Sequence, residues 1–140
     1  MSQLERTLAI IKPDSVARGI AGEILTTIEQ AGFRIRGLRM LRLDRRQAEG
    51  FYAVHRGKPF FADLVEFMSE GPIVVVALER EDAIREWREA MGATNPASAA
   101  EGTIRKRFGT SMQSNCVHGS DAPDTAHFEL GYFFREVELV

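Results

Sequence analysis

Of the three histidines in the chain, His118 has the surroundings best suited to chemistry, in the run Asn115-Cys116-Val117-His118-Gly119-Ser120-Asp121. Gly119 removes a side chain beside the ring, so a substrate or a backbone segment can approach closely. Ser120 and Asp121 are good N-cap types, which would place the ring near the positive end of a following helix. A histidine of ordinary pKa is mostly neutral at neutral pH, and its ring can act as nucleophile as well as base. If it attacks phosphorus, the site must hold a polyanion and stabilise charge spread over the transferring oxygens. Lys12, at the end of an apolar run and before Pro13, is a candidate for that work, as are Arg88 and Arg105. Each arginine alone reads equally as a surface residue. His118 alone reads also as a packed turn histidine, or as a metal ligand with Cys116, although no further Cys or His stands at ligand spacing. His55 and His127 read as solvated or capping residues. Neither a Walker-type loop nor a kinase glycine loop is present.

These residues need elements to position them. Arg6–Lys12 is apolar and β-branched and predicts a buried strand, stopped by Pro13; Pro13-Asp14-Ser15 then reads as a turn. Ile20, Ile24, Ile28 and Ala31 recur at helical steps up to Gly32. Phe33–Leu43 alternates loosely and suits a strand with one wet face. Arg46–His55 and Phe60–Met68 are short helical patterns separated by Gly57-Lys58-Pro59. Ile73–Leu78 is a third strand, and Asp82–Met91 a helix with Ile84, Trp87 and Met91 on one face. Gly92–Val117 has almost no periodic apolar signal, and a loop of that length inside a compact domain is usually functional. Val117–Gly119 reads as a short strand, and Pro123–Phe134 as a last helix with Pro123 in its first turn. Split βαβ halves of this kind predict a ferredoxin-like α/β (α+β) sandwich. Its four-stranded antiparallel sheet would be covered by helices, with a long functional loop before the histidine.

Composition sets the outer limits. The 140 residues suit a single domain, 1–140, able to bury its own core without metal or disulfide staples. One cysteine, Cys116, excludes an internal disulfide and fits a reducing cytoplasm. Leu8–Ile11 is too short for a membrane span. With 18 basic and 20 acidic side chains, the net charge of −2 argues against general nucleic-acid binding. Only three of the cations are lysines (Lys12, Lys58 and Lys106).

Taken together, the sequence resembles nucleoside diphosphate kinase over its whole length. The carrying segments are Glu5–Asp14 (ERTLAIIKPD), Gly57–Phe67 (GKPFFADLVEF), Ser69–Val76 (SEGPIVVV), Gly92–Pro96 (GATNP), Gly102–Arg105 (GTIR) and Asn115–Asp121 (NCVHGSD). They stand in family order, and the last is highly specific for a phosphorylated histidine.

The resemblance implies a ping-pong exchange in which a nucleoside triphosphate, typically ATP, passes its terminal phosphoryl group to His118. A second nucleoside diphosphate then takes it, maintaining NTP and dNTP pools. Carried over position by position, Lys12, Arg88 and Arg105 would contact the phosphates, with hydroxyls from Tyr52 and Thr94. By analogy with other transition-state donors, one such contact would contribute roughly 3–4 kcal/mol. Phe60 would stack on the base, with Leu64 and Met112 completing an apolar slot that accepts purines and pyrimidines alike. Asn115 would bind the ribose hydroxyls, and His55 would lie near the α-phosphate. Glu129, helped by Ser120, would hold His118 in orientation. Asp121 would reach Mg²⁺ through water, the ion riding mainly on the nucleotide phosphates.

Arg107 stands where the family commonly has an acidic residue, and Ala122-Pro123 replaces a usual serine-containing turn. The resemblance also implies a cytoplasmic homo-oligomer built from dimers, as a tetramer or hexamer. No membrane and no specific nucleic-acid partner is expected. Two other classes of function remain open at this stage. One is a regulatory nucleotide-binding module of the same fold, against which stands the complete residue set. The other is an RNA-binding ferredoxin-like domain using Arg34–Arg46, which lacks the aromatic sheet motif that stacks bases.

Overall fold

The structure, a computed structural model, describes residues 3–140; the first two positions of the domain span expected from sequence lie outside the described residues. Its scaffold is a four-stranded antiparallel sheet: β1 (Leu4–Ile11), β2 (Arg34–Leu41), β3 (Ile73–Glu81) and β4 (Val117–Gly119), ordered β2-β3-β1-β4. Seven α-helices complete the described fold: α1 (Pro13–Ala17), α2 (Ala21–Gln30), α3 (Arg45–Phe51), α4 (Phe61–Ser69), α5 (Ala83–Met91), α6 (Ile104–Phe108) and α7 (Pro123–Phe133). This is the α+β, ferredoxin-like arrangement that the strand and helix patterns predict.

The two inner strands are apolar on both faces because both faces are covered. Successive side chains alternate across the sheet. Leu8, Ile10, Val75 and Ala77 therefore enter one core with Phe51, Val65, Met68 and Phe133. Ala9, Ile11, Val74, Val76 and Leu78 enter the other with Ile24, Ile28, Trp87 and Met91. β2 lies at the outer edge and carries the polar alternation read from its sequence. Three arginines of this stretch have structural partners: Arg36 pairs with Glu79 at 2.7 Å, Arg39 donates to the Phe133 carbonyl at 2.5 Å, and Arg42 donates to the Glu70 carbonyl at 3.2 Å.

Three local expectations change. Pro13-Asp14-Ser15 opens a helix, α1, because proline at the first helical position sacrifices an N–H that would have had no partner anyway. The helical pattern Arg46–His55 breaks after Phe51 into a 3₁₀ turn at Ala53–His55. The long irregular stretch holds a 3₁₀ turn at Pro96–Ser98 and the five-residue α6. Both are too short to show a period, and both are set by caps: Asn95 Oδ1 accepts from Ala97 N–H at 3.1 Å, and Thr103 Oγ1 from Lys106 N–H at 3.3 Å.

Candidate active site

Lys12 leaves the end of β1 with its backbone N–H on the Cys116 carbonyl at 2.9 Å, which ties the strand end to the segment entering β4. Its ammonium donates to Asn115 Oδ1 at 2.8 Å and to the Gln113 carbonyl at 2.9 Å, over the face of Phe67. The side chain is only 7% exposed. Burial pulls its pKa from 10.5 down to about 8, against the opposing pull of the Asp14 carboxylate.

His118 sits in β4 opposite Ile10 of β1, so the sheet ladder fixes its backbone. Trp87 Nε1 on α5 donates to its carbonyl at 3.2 Å. The ring Nε2 meets Glu129 Oε1 of α7 at 2.8 Å, and Ser120 Oγ donates to the same oxygen at 2.7 Å. An ionised carboxylate only accepts, so Nε2 carries the proton and Nδ1 keeps its lone pair. Phe51 and Tyr52 set their ring edges against the imidazole, with centroids at 5.5 and 6.2 Å.

The expected N-caps are a correction. The cap of α7 is Ala122, with Pro123 following. Ser120 is instead drawn into the sheet, its N–H on the Leu8 carbonyl and its hydroxyl on Glu129. Asp121 Oδ1 accepts the Thr125 hydroxyl at 2.7 Å. The reason for Gly119 also differs from the open approach inferred from sequence. A Cβ there would lie 2.5 Å from Trp87 Cδ1, so the glycine makes room for the buried indole.

A cleft of about 610 Å³ opens beside His118. Lys12, Tyr52, Phe60, Leu64, Arg88, Thr94, Arg105, Met112, Asn115 and His118 all line it, drawn from β4, three helices and the segments between elements, Lys12 directly following β1. Glu129, Ser120 and Asp121 lie outside the lining, the first two behind the histidine. Phe60 is 47% exposed and Met112 61% exposed, so neither is a core residue, and Leu64 is partly buried between them and the interior. His55 stacks on Tyr52 and meets Phe60 edge-on, which places it at the rim; burial, followed by Lys58, lowers its pKa. His127 is exposed on α7, as a solvated histidine should be.

The guanidinium of Arg105 is built into the cleft wall. It donates to the carbonyls of Gly92 at 3.0 Å, Val117 at 2.8 Å and Asn115 at 3.3 Å. Burial, reinforced by Arg88, brings its pKa down from 12.5 to about 10. Arg88 and Arg105 are therefore close enough to repel, a cost that a bound polyanion would relieve. Tyr52 is buried, which pushes its phenol pKa up and keeps it a neutral donor. Two polar lining residues escaped the sequence reading: Asp63, and Gln113, whose side chain donates to the Asp63 carbonyl at 3.1 Å. No periodicity or composition marks such a pair.

Among the described residues no group of three or more His, Cys, Asp or Glu could hold a metal by itself. Asp121 is an exposed carboxylate whose pKa is lowered by the Thr125 hydroxyl, with smaller contributions from Arg88 and His118. One ionised carboxylate beside a cationic cleft fits a divalent ion that arrives on a phosphate ligand, and does not fit a resident metal centre.

The likenesses to known proteins span the whole chain. A family profile described as "Nucleoside diphosphate kinase" matches residues 5–139. A nucleoside diphosphate kinase of Syntrophotalea carbinolica is 62% identical over 98% of this chain and 100% of its own length. That of Geotalea uraniireducens is 59% identical over the same shares. Among solved structures, the nucleoside diphosphate kinase of Aquifex aeolicus superposes with a TM-score of 0.97 at 45% identity, covering 99% of this chain and 100% of that one. The enzyme of Halobacterium salinarum, solved in complex with CDP, gives 0.94 at 41% identity, covering 99% and 92%. With the profile spanning residues 5–139, relatives matched over nearly their full length and the fold in agreement, the chain belongs to the nucleoside diphosphate kinase family.

Proposed function

We propose that this protein transfers the terminal phosphoryl group of a nucleoside triphosphate to a nucleoside diphosphate through a phosphohistidine at His118. The observation that carries the reading is the geometry around that ring: Nε2 meets Glu129 Oε1 at 2.8 Å, which leaves the attack to Nδ1 in a residue that lines the cationic cleft. In the first half-reaction the Nδ1 lone pair attacks the terminal phosphorus. A P–N bond forms, the bridging P–O bond breaks, and its electron pair leaves with the diphosphate. In the second, a terminal oxygen of an incoming diphosphate attacks the same phosphorus, the P–N bond breaks, and the neutral ring is restored. Donor and acceptor are alike, so one cleft in one domain serves both.

The other residues divide by position. Lys12, Arg88 and Arg105, with Tyr52 and Thr94, hold the phosphates and stabilise the charge on the transferring oxygens. Phe60, Leu64 and Met112 form the base slot, and Asn115 meets the ribose. Glu129 and Ser120 orient the ring without touching substrate. Magnesium, carried on the nucleotide phosphates, would offset their charge, and Asp121 would reach it through water.

We also infer a homo-oligomer built from dimers, as a tetramer or hexamer, working in the cytoplasm. Exposed Leu38 and Met40 on the outer strand β2 support a covered surface there. No described helix is long and apolar enough to cross a membrane.

Incubation with ATP labelled in its terminal phosphate, with Mg²⁺, tests the reaction. The protein should take up label that is lost in acid and stable in alkali, and His118→Ala should take up none. Stable labelling of that variant would sink the assignment.

A further inference from the structure

Cys116 is a non-glycine residue with φ +76°. Around it the Val117 N–H closes a three-residue turn onto the Asn115 carbonyl at 2.9 Å. A γ-turn of that hand is rare and strained, and strained backbone persists only where its surroundings over-determine it. Here the surroundings come from the start of α1 and the residue before it. Lys12 N–H and Ser15 Oγ both donate to the Cys116 carbonyl, at 2.9 and 3.1 Å. The Cys116 N–H donates in turn to Asp14 Oδ2 at 3.1 Å.

A neutral oxygen would be enough to accept that N–H. A carboxylate carries an added cost, and Asp14 Oδ1 is buried with no hydrogen-bond partner. Such a cost is expected only where the charge has a further use, and the nearby charge in need of support is Lys12. Burial works against its ammonium; Asp14 of α1 favours the cation, Arg105 of α6 opposes it, and Cys116 favours it. The remaining neighbours, Phe67 of α4, Gln113 and Asn115, are uncharged.

We propose that Asp14 is a positioning residue for phosphoryl transfer. Its carboxylate holds the Cys116 turn that sets Asn115 and His118 on the cleft, and its negative charge stands two residues along the chain from the buried Lys12 ammonium, which it favours. This role rests on the phosphotransfer reading above and adds to it a residue that does not line the cleft.

Two variants separate the two parts. Asp14→Asn is nearly isosteric and keeps an acceptor for the Cys116 N–H while losing the charge. Its alkaline limb of kcat/KM should move down by about one pH unit, with kcat at pH 7 within about threefold of wild type. Asp14→Ala loses both functions, and kcat should fall by about tenfold or more. Adding Cys116→Gly should restore part of that loss, because glycine adopts positive φ without strain. An alkaline limb unchanged in Asp14→Asn, or an Asp14→Ala enzyme with wild-type kcat, overturns the proposal. Should Asp14→Ala fail to fold, the limb of Asp14→Asn decides. Wild-type enzyme assayed alongside keeps the two readings apart: no transfer by wild type overturns the function itself, whereas normal transfer by wild type and variants overturns only the role of Asp14.

Discussion

Lys12 donates to two neutral oxygens, at 2.8 and 2.9 Å, in a setting that lowers its pKa to about 8. Between that value and 10.5 the unfolded chain binds more protons at this group than the folded one does. Its contribution to stability therefore rises with pH through the window, the reverse of a lysine stabilised by a partner. The unliganded protein thus bears a cost for holding the charge, and phosphate binding recovers it. Near pH 8 part of the lysine population is neutral, and an arriving phosphate should draw in a proton. Titration calorimetry with a nucleoside diphosphate, in two buffers of different ionisation enthalpy, should show uptake by this group of roughly half a proton at pH 8. Lys12→Arg, which stays charged, should show no such uptake. The residue was conspicuous in the sequence as one of three lysines, placed between an apolar run and a proline. Its depressed pKa was not, because that depends first on burial beneath segments the fold brings together and then on Arg105, which lies far along the chain.

At the scale of the element, β4 is three residues long and cannot specify its own placement. It is held by β1 on one side, by the Cys116 turn before it, and by α5, whose Trp87 is fully buried and bonded to the His118 carbonyl. Gly119→Ala would drive a methyl to within 2.5 Å of the indole. Overpacking of that kind should cost about 1–3 kcal/mol. Urea unfolding followed by tryptophan fluorescence measures it cleanly, since Trp87 is the only tryptophan; activity should fall with the displacement of the His118 carbonyl. Elements with a sustained period were legible in the sequence: β1, β3, α2, α5 and α7 all fall within a few residues of their expected bounds. Those set by a cap or a proline were not. α1 read as a turn, and α6 disappeared into a long loop, because five residues give less than two helical turns and no visible face. Gly119 shows the same limit from the other side. Its importance was readable, but its reason, a tryptophan 32 positions earlier in the chain, was a tertiary fact.

Across the whole molecule, the cleft lies at one end of the inner strands and an ionic cluster at the other. Glu79 of β3 is buried and pairs with Arg6 of β1 at 3.0 Å and Arg36 of β2 at 2.7 Å, clamping three adjacent strands. The clamp extends to the chain end: Arg6 reaches Glu136 at 3.6 Å, Arg36 donates to the Val140 carbonyl, and the Val140 N–H returns to the Arg36 carbonyl. His118 pairs with Ile10, four residues further along β1 than Arg6 and so roughly 13 Å away at strand rise. The hydrogen bonds from Arg6, and then from Arg36, hold the Glu79 pKa below its ordinary 4.5. A carboxylate with a depressed folded pKa contributes stability above its unfolded value, and that contribution is lost as pH falls through the folded one. Glu79→Gln should therefore be less stable than wild type by about 2 kcal/mol at pH 7, a buried-pair cost discounted because both arginines stay partly hydrated. The difference should shrink steadily below pH 4.5, where the wild-type carboxylate takes up its proton. Thermal unfolding across the pH range gives both values. Phosphoryl transfer at neutral pH and moderate temperature should match wild type, because no cleft residue touches the cluster; a large loss of kcat in this variant would show that the two ends of the sheet are coupled. The molecule thus keeps Glu79 where it serves the strands and gathers Lys12, Arg88 and Arg105 where a polyphosphate can neutralise them, which is how a chain of net charge −2 accommodates an anionic substrate.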